Sequence, residues 1–238
     1  MGKIIAVVSG KGGTGKTSFT ACVALSLAAM GYETLALDCD ITLRNLDLAL
    51  GLSDSAAMDF SDVLDGRCTL AEATVPHRKY PKLSLLAAPL APRDERFSVP
   101  AMQALARDIR QRYDYCLVDA PAGLGQGFTL ATAMADSVVV VTTTDPAALR
   151  DAQRTVMELR GFPPGQVHLV VNRVRKKMLK ALHSTIDDAM DTAEDGDIPL
   201  ALNRGIPLRD MNYYAQRAYE NIANRITGAR VPLMRARW

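Results

Sequence analysis

The sequence has no long hydrophobic run, no strong net charge and no signal-peptide pattern. Its 238 residues carry a formal net charge of +2, which gives no general electrostatic reason to bind nucleic acid or an acidic membrane. No apolar stretch reaches the roughly 18 residues of a membrane span, and residues 1–3 lead directly into an apolar segment. With 48% hydrophobic and 23% charged residues, the chain has the composition of a folded globular protein. Composition therefore excludes several protein classes and identifies no function.

Cysteine and histidine are too scattered to predict a metal site or a catalytic triad. The four cysteines form no C-x-x-C pair, and the three histidines are isolated from one another. We expect the cysteines to be small, reduced residues in the core of a cytoplasmic protein: Cys22, Cys39, Cys68 and Cys116.

Short apolar strands alternate with helical segments along the chain. Residues 4–8 are typical of a strand buried on both faces, and residues 17–30 have apolar side chains at helical spacing, ending before Gly31. The alternation predicts further strands at 34–37, 83–87, 116–119, 138–141, 169–171 and 198–200, and helices at 99–112, 146–160, 176–190 and 208–226. We expect an α/β fold in one domain over residues 1–234, with a doubly wound, mostly parallel sheet and helices on both faces.

Residues 10–17 read GKGGTGKT, which satisfies the P-loop pattern G-x-x-x-x-G-K-[ST] between a predicted strand and a predicted helix. Glycines let backbone N–H groups surround phosphate oxygens, and the helix N-terminus favours negative charge. We expect Lys16 to pair with the phosphates of ATP and the Thr17 hydroxyl to bind Mg²⁺. The predicted nucleotide-binding residues of this segment are Gly10, Lys11, Gly12, Gly13, Thr14, Gly15, Lys16, Thr17 and Ser18.

A second lysine, Lys11, lies inside the loop, although a P-loop does not require it. Its ammonium would be repelled by Lys16 unless a strong anion lay between them. Lys11 is therefore either a contact to the phosphates of a nucleotide in a partner subunit or a solvated loop lysine.

Polar side chains follow several predicted strands, where open α/β sheets bind ligands. Asp38 and Asp40 could hold the water shell of Mg²⁺ and polarise water, or they could belong to an acidic loop or helix cap. Asp119 ends an apolar strand, which is the arrangement of a Walker B acid that holds magnesium through water. The amide of Asn172 could serve an adenine edge and equally suits a turn.

These motifs resemble those of the MinD/ParA family of P-loop ATPases. KGGTGKT resembles the deviant Walker A motif of that family, and residues 38–47, DCDITLRNLD, are similar to switch I of its MinD branch more than of its ParA branch. Asp119 and the residues after it, DAPAG, resemble switch II, which comprises Ala120, Pro121, Ala122 and Gly123. The resemblance covers residues 3–234 and implies a P-loop fold of the SIMIBI type.

The resemblance also implies residue roles. In that family the early lysine, here Lys11, reaches the nucleotide of the other subunit in an ATP-sandwiched homodimer. Asp40 would position the attacking water, so the implied catalytic residues are Lys11, Lys16 and Asp40. Asp38 would support the magnesium shell beside Thr17 and Asp119. The adenine would be held by Asn172, Arg173 and Pro199.

The function implied by the resemblance is an ATPase that acts as a dimerisation switch in placing the division septum, with a regulatory protein on the dimer face. It would hydrolyse ATP to ADP and phosphate. A ParA-like ATPase that partitions DNA or positions cargo is the alternative. An ATP-dependent metabolic enzyme or a tyrosine kinase on the same fold ranks below both.

Two basic segments bear on partners. Residues 235–238, RARW, stand where the family has a membrane-binding helix, and four residues are too few to form one. We therefore expect a cytoplasmic protein with at most weak contact to the inner face of the membrane. A basic cluster could contact DNA phosphates; it comprises Arg173, Arg175, Lys176, Lys177 and Lys180. Acidic residues follow it closely, so the sequence favours a solvated helix face. We therefore expect no nucleic-acid partner.

Overall fold

The computed structural model describes residues 1–53, 55–90, 97–163, 165–174, 190–193 and 213–231. Its strands are β1 (Lys3–Val8), β2 (Thr34–Asp38), β3 (Val75–Pro76), β4 (Leu83–Leu86), β5 (Tyr115–Asp119), β6 (Ser137–Thr143), β7 (Val167–Val174) and β8 (Met190–Ala193). Its helices are α1 (Lys16–Ala29), α2 (Leu46–Leu50), α3 (Phe60–Leu64), α4 (Leu70–Ala73), α5 (Val99–Arg112), α6 (Gln126–Met134), α7 (Pro146–Glu158) and α8 (Tyr213–Ile226).

The described strands form one sheet in the order β3-β4-β2-β5-β1-β6-β7-β8. Only the β3–β4 pair among them is antiparallel; the other neighbours run parallel, which confirms the predicted doubly wound, mostly parallel fold. The carboxyl ends of β1, β2, β5, β6 and β7 lie along one edge of the sheet. In the register Asp119 lies opposite both Asp38 and Val7, so the two acids that end β2 and β5 are neighbours.

Each face of the sheet packs against its own layer of helices. In β1, Ile5 and Val7 join the core cluster that contains buried residues of α1, α2 and α8. The alternate residues, Ile4 and Val8 among them, join the second cluster, with α5 and α6. Because both faces of β1 are covered, its side chains are apolar from Ile4 to Val8, as expected for a central parallel strand.

Helix α1 follows the P-loop and ends where the sequence predicts. Gly31 has a φ of +98°, its N–H donates to the Ala28 carbonyl, and the N–H of Tyr32 donates to the Leu27 carbonyl. These two bonds are the Schellman motif, in which glycine adopts the left-handed conformation at low cost. The motif ends α1 and turns the chain into β2.

Two sequence predictions are wrong near the β8 edge of the sheet. Strand β7 continues two residues past Asn172, to Val174, and Met190, placed at the end of a predicted helix, belongs to β8. The N–H and C=O groups along β7 offer a partner for pairing, and that tertiary contact overrides the local helical pattern. The rest of that predicted helix, the predicted strand at 198–200 and the predicted helix start at 208–212 lie outside the described residues.

Short elements between β2 and β4 were not predicted. Two of them begin with a capping box: Asp59 with Asp62 begins α3, and Thr69 with Glu72 begins α4. The spacing of Thr69 and Glu72 is a helix-start signal that could have been recognised in the sequence.

Within the described ranges, no helix has the length and hydropathy needed to cross a bilayer. The tail at 235–238, Pro199 and the basic residues Arg175, Lys176, Lys177 and Lys180 lie outside the described residues. A single domain over residues 1–234 stays a prediction.

Candidate nucleotide-binding site

The P-loop lies between β1 and α1, at the edge where the parallel strands end. Gly13 and Gly15 have φ values of +79° and +89°, which glycine adopts readily. A Cβ at Gly12 or Gly13 would meet nothing within 4 Å, so this part of the loop faces open space. At Gly15 a Cβ would lie 2.2 Å from the Nδ2 of Asn172, and at Gly10 it would lie 2.6 Å from the carbonyl of Asp151 in α7. The loop thus packs tightly at its two ends and is open in the middle.

Two features of this loop fit an anionic ligand. The N-cap of α1 is Gly15, which has no side chain to bond the first N–H groups of the helix, and the helix dipole at this end favours negative charge. The hydroxyl of Thr14 is buried, and within the described part of the chain it has no hydrogen-bond partner. Because a buried hydroxyl without a partner is costly, a phosphate oxygen at this position would satisfy it.

Lys16, Thr17 and Asp119 form a cluster at the base of the loop, in which Lys16 and Asp119 are buried and Thr17 is half-buried. The Lys16 Nζ lies 3.0 Å from Asp119 Oδ1, and the Thr17 hydroxyl donates to Asp119 Oδ2 at 2.7 Å. The exposed fraction of the Asp119 side chain is 1% and that of Lys16 is 8%, so both charged groups have almost no contact with water. Burial raises the pKa of Asp119, while the Lys16 ammonium and the hydroxyl donors oppose that shift.

Asp38 lies beside Asp119 and anchors the residues of switch I. Its Oδ1 accepts from the N–H of Asp40 at 2.9 Å, and its Oδ2 accepts from the N–H of Leu46 at 3.1 Å. Burial, followed by the charge of Asp119, raises the pKa of Asp38 to about 7. Asp38 thus bonds the first N–H of α2, as the helix-cap alternative expects, and it also borders the proposed magnesium position.

Asp40 makes a tight turn within the same segment. Its Oδ1 accepts from the N–H groups of Thr42 and Leu43, both at 3.1 Å. Arg44 follows with a φ of +43°, a strained value for a residue with a side chain, and its Nε is buried with no partner among the described residues. Switch I is therefore pinned at Asp40 and Leu46, with backbone strain between the two points.

Switch II is tied to the residue before the P-loop. The N–H of Gly123 donates to the carbonyl of Ser9 at 2.9 Å, and the N–H of Ala120 donates to the carbonyl of Val7 at 3.1 Å. Gly123 has a φ of +90°. A cavity of about 540 Å³, which the sequence did not indicate, lies between the two switches, with Cys39, Thr42, Pro121 and Gln126 in its lining.

Lys11 lies at the exposed side of the loop. Its Nζ is 3.7 Å from Asp145 Oδ1, and the exposed fractions of the two side chains are 50% and 54%. Asp145 also caps α7 by accepting from the N–H groups of Ala147 and Ala148. These bonds, chiefly the one from Ala148, hold the pKa of Asp145 below its usual value. An ion pair this exposed is weak, so Lys11 can leave it at little cost.

Asn172 lies beneath the P-loop. Its Nδ2 donates to the Thr14 carbonyl at 2.8 Å, and its Oδ1 accepts from the N–H of Arg173 at 2.9 Å. Arg173 is exposed and has a φ of +57°. The structure thus brings Asn172 to the loop and supports that loop with its amide. Ser18 is half-buried in the first turn of α1, and Pro199 lies outside the described residues.

The comparisons with known proteins agree on one family. Residues 2–162 match the AAA domain family. The septum site-determining protein MinD of Thermotoga maritima is 37% identical over an alignment that covers 98% of this chain and 91% of that protein. MinD in a MinC:MinD cell division complex of Aquifex aeolicus superposes with a TM-score of 0.86 at 31% identity, covering 98% of both chains. MinD of Pyrococcus horikoshii, solved with Mg-ADP, gives a TM-score of 0.79 at 26% identity, covering 97% of this chain and 100% of that one.

Asp38 makes the stability of the nucleotide-free protein depend on pH. The unfolded carboxyl loses its proton near pH 3.8, while the native one keeps it up to about pH 7. The native state therefore binds more protons between these values, and stability falls as the pH rises through this window. Between about pH 5 and pH 8, the free energy of unfolding of the wild type should fall by about 2–3 kcal/mol relative to Asp38→Asn. Urea unfolding in EDTA measures this free energy. If the difference between the wild type and Asp38→Asn did not change with pH, the raised pKa of Asp38 would be contradicted.

The geometry of the loop distinguishes two glycines. Gly15→Ala should lower the free energy of unfolding by about 1–3 kcal/mol, because its Cβ strains a left-handed backbone and meets Asn172. Gly12→Ala, which meets open space, is the matched control and should stay within about 0.5 kcal/mol of the wild type. Equal stabilities for the two variants in urea unfolding would show that the loop has a different conformation.

Proposed function

Because the chain belongs to the MinD family of septum site-determining ATPases, we propose that its P-loop edge works as an ATP-dependent dimerisation switch. The chain is a MinD-like ATPase that acts in placing the cell division site, and it uses ATP and Mg²⁺. Membership of the MinD family favours this function over the ParA-like, metabolic and kinase alternatives. The observation that carries the proposal is the cluster of Lys16, Thr17 and Asp119 below an open loop, in which the Lys16–Asp119 ion pair is buried.

Nucleotide binding exchanges the partners of this cluster. The N–H groups of the loop and of the first turn of α1 surround the phosphates, and Thr14 finds an acceptor for its hydroxyl. Lys16 leaves Asp119 for the phosphates, whose charge stabilises the ammonium more than one carboxylate can. Asn172, Arg173 and Pro199 hold the base in this proposal; of these, Asn172 lies against the loop that would bind the phosphates.

The oxygen ligands beside the loop suit magnesium. Thr17 would bind the ion directly, and Asp119 and Asp38 would hold its water shell, since Mg²⁺ prefers hard oxygen ligands and keeps several waters. When bound, the ion neutralises charge that develops on the phosphates. The raised pKa of Asp38 means that the carboxyl must lose its proton to take this role, which the charge of the ion favours.

Hydrolysis to ADP and phosphate requires positioned water and compensated charge rather than covalent catalysis. Asp40 orients the attacking water. The position of Asp40 is fixed by its backbone N–H, which donates to the side chain of Asp38. Lys16 compensates charge within the subunit, and Lys11 does so on the nucleotide of the partner subunit. The weak pair with Asp145 supports this, because the Lys11 ammonium lies half-exposed at the surface of the loop.

We propose that the dimer brings two such loops face to face and that a regulatory protein binds this face. MinD of Aquifex aeolicus has been solved with MinC, which supports a partner of that kind. Leu43 and Leu48 in and after switch I are exposed, at 64% and 41%, and give the face apolar contact area. No nucleic-acid partner is proposed.

We further propose a cytoplasmic site of action, with at most weak contact to the inner face of the membrane. The four cysteines, all in the described ranges, are thiols rather than disulfides, as expected in a reducing compartment.

ATP turnover per chain should rise with protein concentration, because each nucleotide site is completed by the partner subunit. Lys11→Ala should lower the turnover at high concentration by about 10²–10³-fold, since it removes a group that stabilises the charge of the transition state. Lys82→Ala is the matched control and should behave as the wild type. Lys82 is an exposed lysine directly before β4, and its ammonium pairs with Glu33. Turnover that is independent of concentration and of Lys11 would exclude the sandwich mechanism.

Asp40→Ala should accumulate a stable dimer with ATP and Mg²⁺, because binding is kept while water is no longer positioned. Size-exclusion chromatography with light scattering measures the dimer, and ADP should leave the same variant monomeric. A variant that stays monomeric with ATP would show that Asp40 acts in dimer formation and not in hydrolysis.

A further inference from the structure

Thr20 lies in the interior of α1, one turn after Lys16, and is completely buried. Its hydroxyl is 3.0 Å from the carbonyl of Lys16 and 3.1 Å from Oδ1 of Asp119. A threonine in a helix commonly bonds the carbonyl four residues earlier, and that bond alone has no functional meaning. The second contact, to the carboxylate that ends β5, is what distinguishes this threonine.

The carboxylate of Asp119 accepts from three side chains: Lys16 and Thr20 at Oδ1, and Thr17 at Oδ2. In the proposed function two of these donors leave, because Lys16 turns to the phosphates and Thr17 to the magnesium ion. Thr20 is the donor that would bind neither the phosphates nor the magnesium ion. A buried carboxylate that loses its donors is costly and free to rotate, so the remaining bond determines its orientation.

We propose that Thr20 is a positioning residue that holds Oδ1 of Asp119 throughout the nucleotide cycle and thereby keeps Oδ2 directed at the magnesium shell. The inference rests on the proposed function. Oδ2 is the oxygen that contacts Thr17, which lies where the ion is expected, and Oδ1 is the oxygen on the side of Thr20. The Thr20 hydroxyl, which lies 3.0 Å from the Lys16 carbonyl and 3.1 Å from Oδ1, keeps its contact with Oδ1 when the Lys16 ammonium moves to the phosphates.

Such a residue should affect magnesium binding more than nucleotide binding. Hydrogen bonds to the groups that hold a metal typically change metal affinity by about 10–100-fold. The phosphate contacts of the loop do not involve the Thr20 side chain and should be unchanged. The two effects separate when nucleotide affinity is measured with Mg²⁺ and with EDTA.

The test is Thr20→Val, which keeps the shape of the side chain and removes the hydroxyl. Binding of a fluorescent ADP analogue is titrated with MgCl₂ and with EDTA, and MgCl₂ is titrated at fixed analogue. The variant should need about 10–100-fold more Mg²⁺ for half-maximal tightening, with its affinity in EDTA close to that of the wild type. Thr20→Ser, which restores a hydroxyl, should recover most of the magnesium dependence.

Thr132→Val is the matched control, because Thr132 in α6 bonds the carbonyl of Phe128 four residues earlier and, among the residues that the structure describes, has no bond to a carboxylate. It should bind Mg²⁺ as the wild type does. Thermal unfolding shows whether each variant is folded, and Thr20→Ala replaces Thr20→Val if the latter is not.

A wild-type magnesium response in Thr20→Val would overturn the inference and leave the proposed function intact. An equal loss of affinity with Mg²⁺ and with EDTA would also overturn it, because that result indicates a purely structural role. If the wild type itself shows no binding that depends on Mg²⁺, the proposed function fails and the inference with it.

Discussion

The bond between the Lys16 ammonium and the buried Asp119 carboxylate joins the P-loop to the end of β5. A buried pair of this kind is stable only while both charges have partners, since an unpaired charge in the core costs several kcal/mol. Anything that takes Lys16 away must therefore supply another anion and must leave Asp119 with other donors or a cation. In the proposed function Mg-ATP meets both conditions, so this structural pair would also serve as the trigger of the switch.

The neighbouring contacts transmit that exchange. Asp38 is next to Asp119 in the sheet register and bonds the backbone at both ends of switch I. Switch II follows Asp119 directly and bonds Ser9 through Gly123. A change in the charge around Asp119 would therefore act on Asp38, through the interaction of the two carboxyl groups, and on switch II, which directly follows Asp119 in the chain. We infer that the proposed dimer face, which would contain Lys11 and the exposed part of switch I, responds to the nucleotide through these short connections.

Much of the fold and the outline of the site could be predicted because they depend on local patterns. The sequence itself shows the apolar runs of the parallel strands, the P-loop at residues 10–17 and the acid that ends β5. Because parallel strands end at one edge of the sheet, the loop and the acid can be predicted to lie close together. Contacts between distant segments could not be predicted. The bond of Asn172 to Thr14 and the approach of Thr20 to Asp119 depend on how β7 and α1 lie against the loop and β5. Strand β8 was missed because it is stabilised by pairing with β7, which the local helical pattern hides.

The most direct test is a crystal structure of the protein with Mg²⁺ and a non-hydrolysable ATP analogue. The account predicts that Lys16 Nζ leaves Asp119 for the phosphates, that Thr20 keeps its bond to Oδ1 of Asp119, and that Lys11 of one subunit contacts the nucleotide of the other. A nucleotide-bound structure in which Lys16 still lies 3.0 Å from Asp119 would contradict it, because the exchange of partners would then not occur.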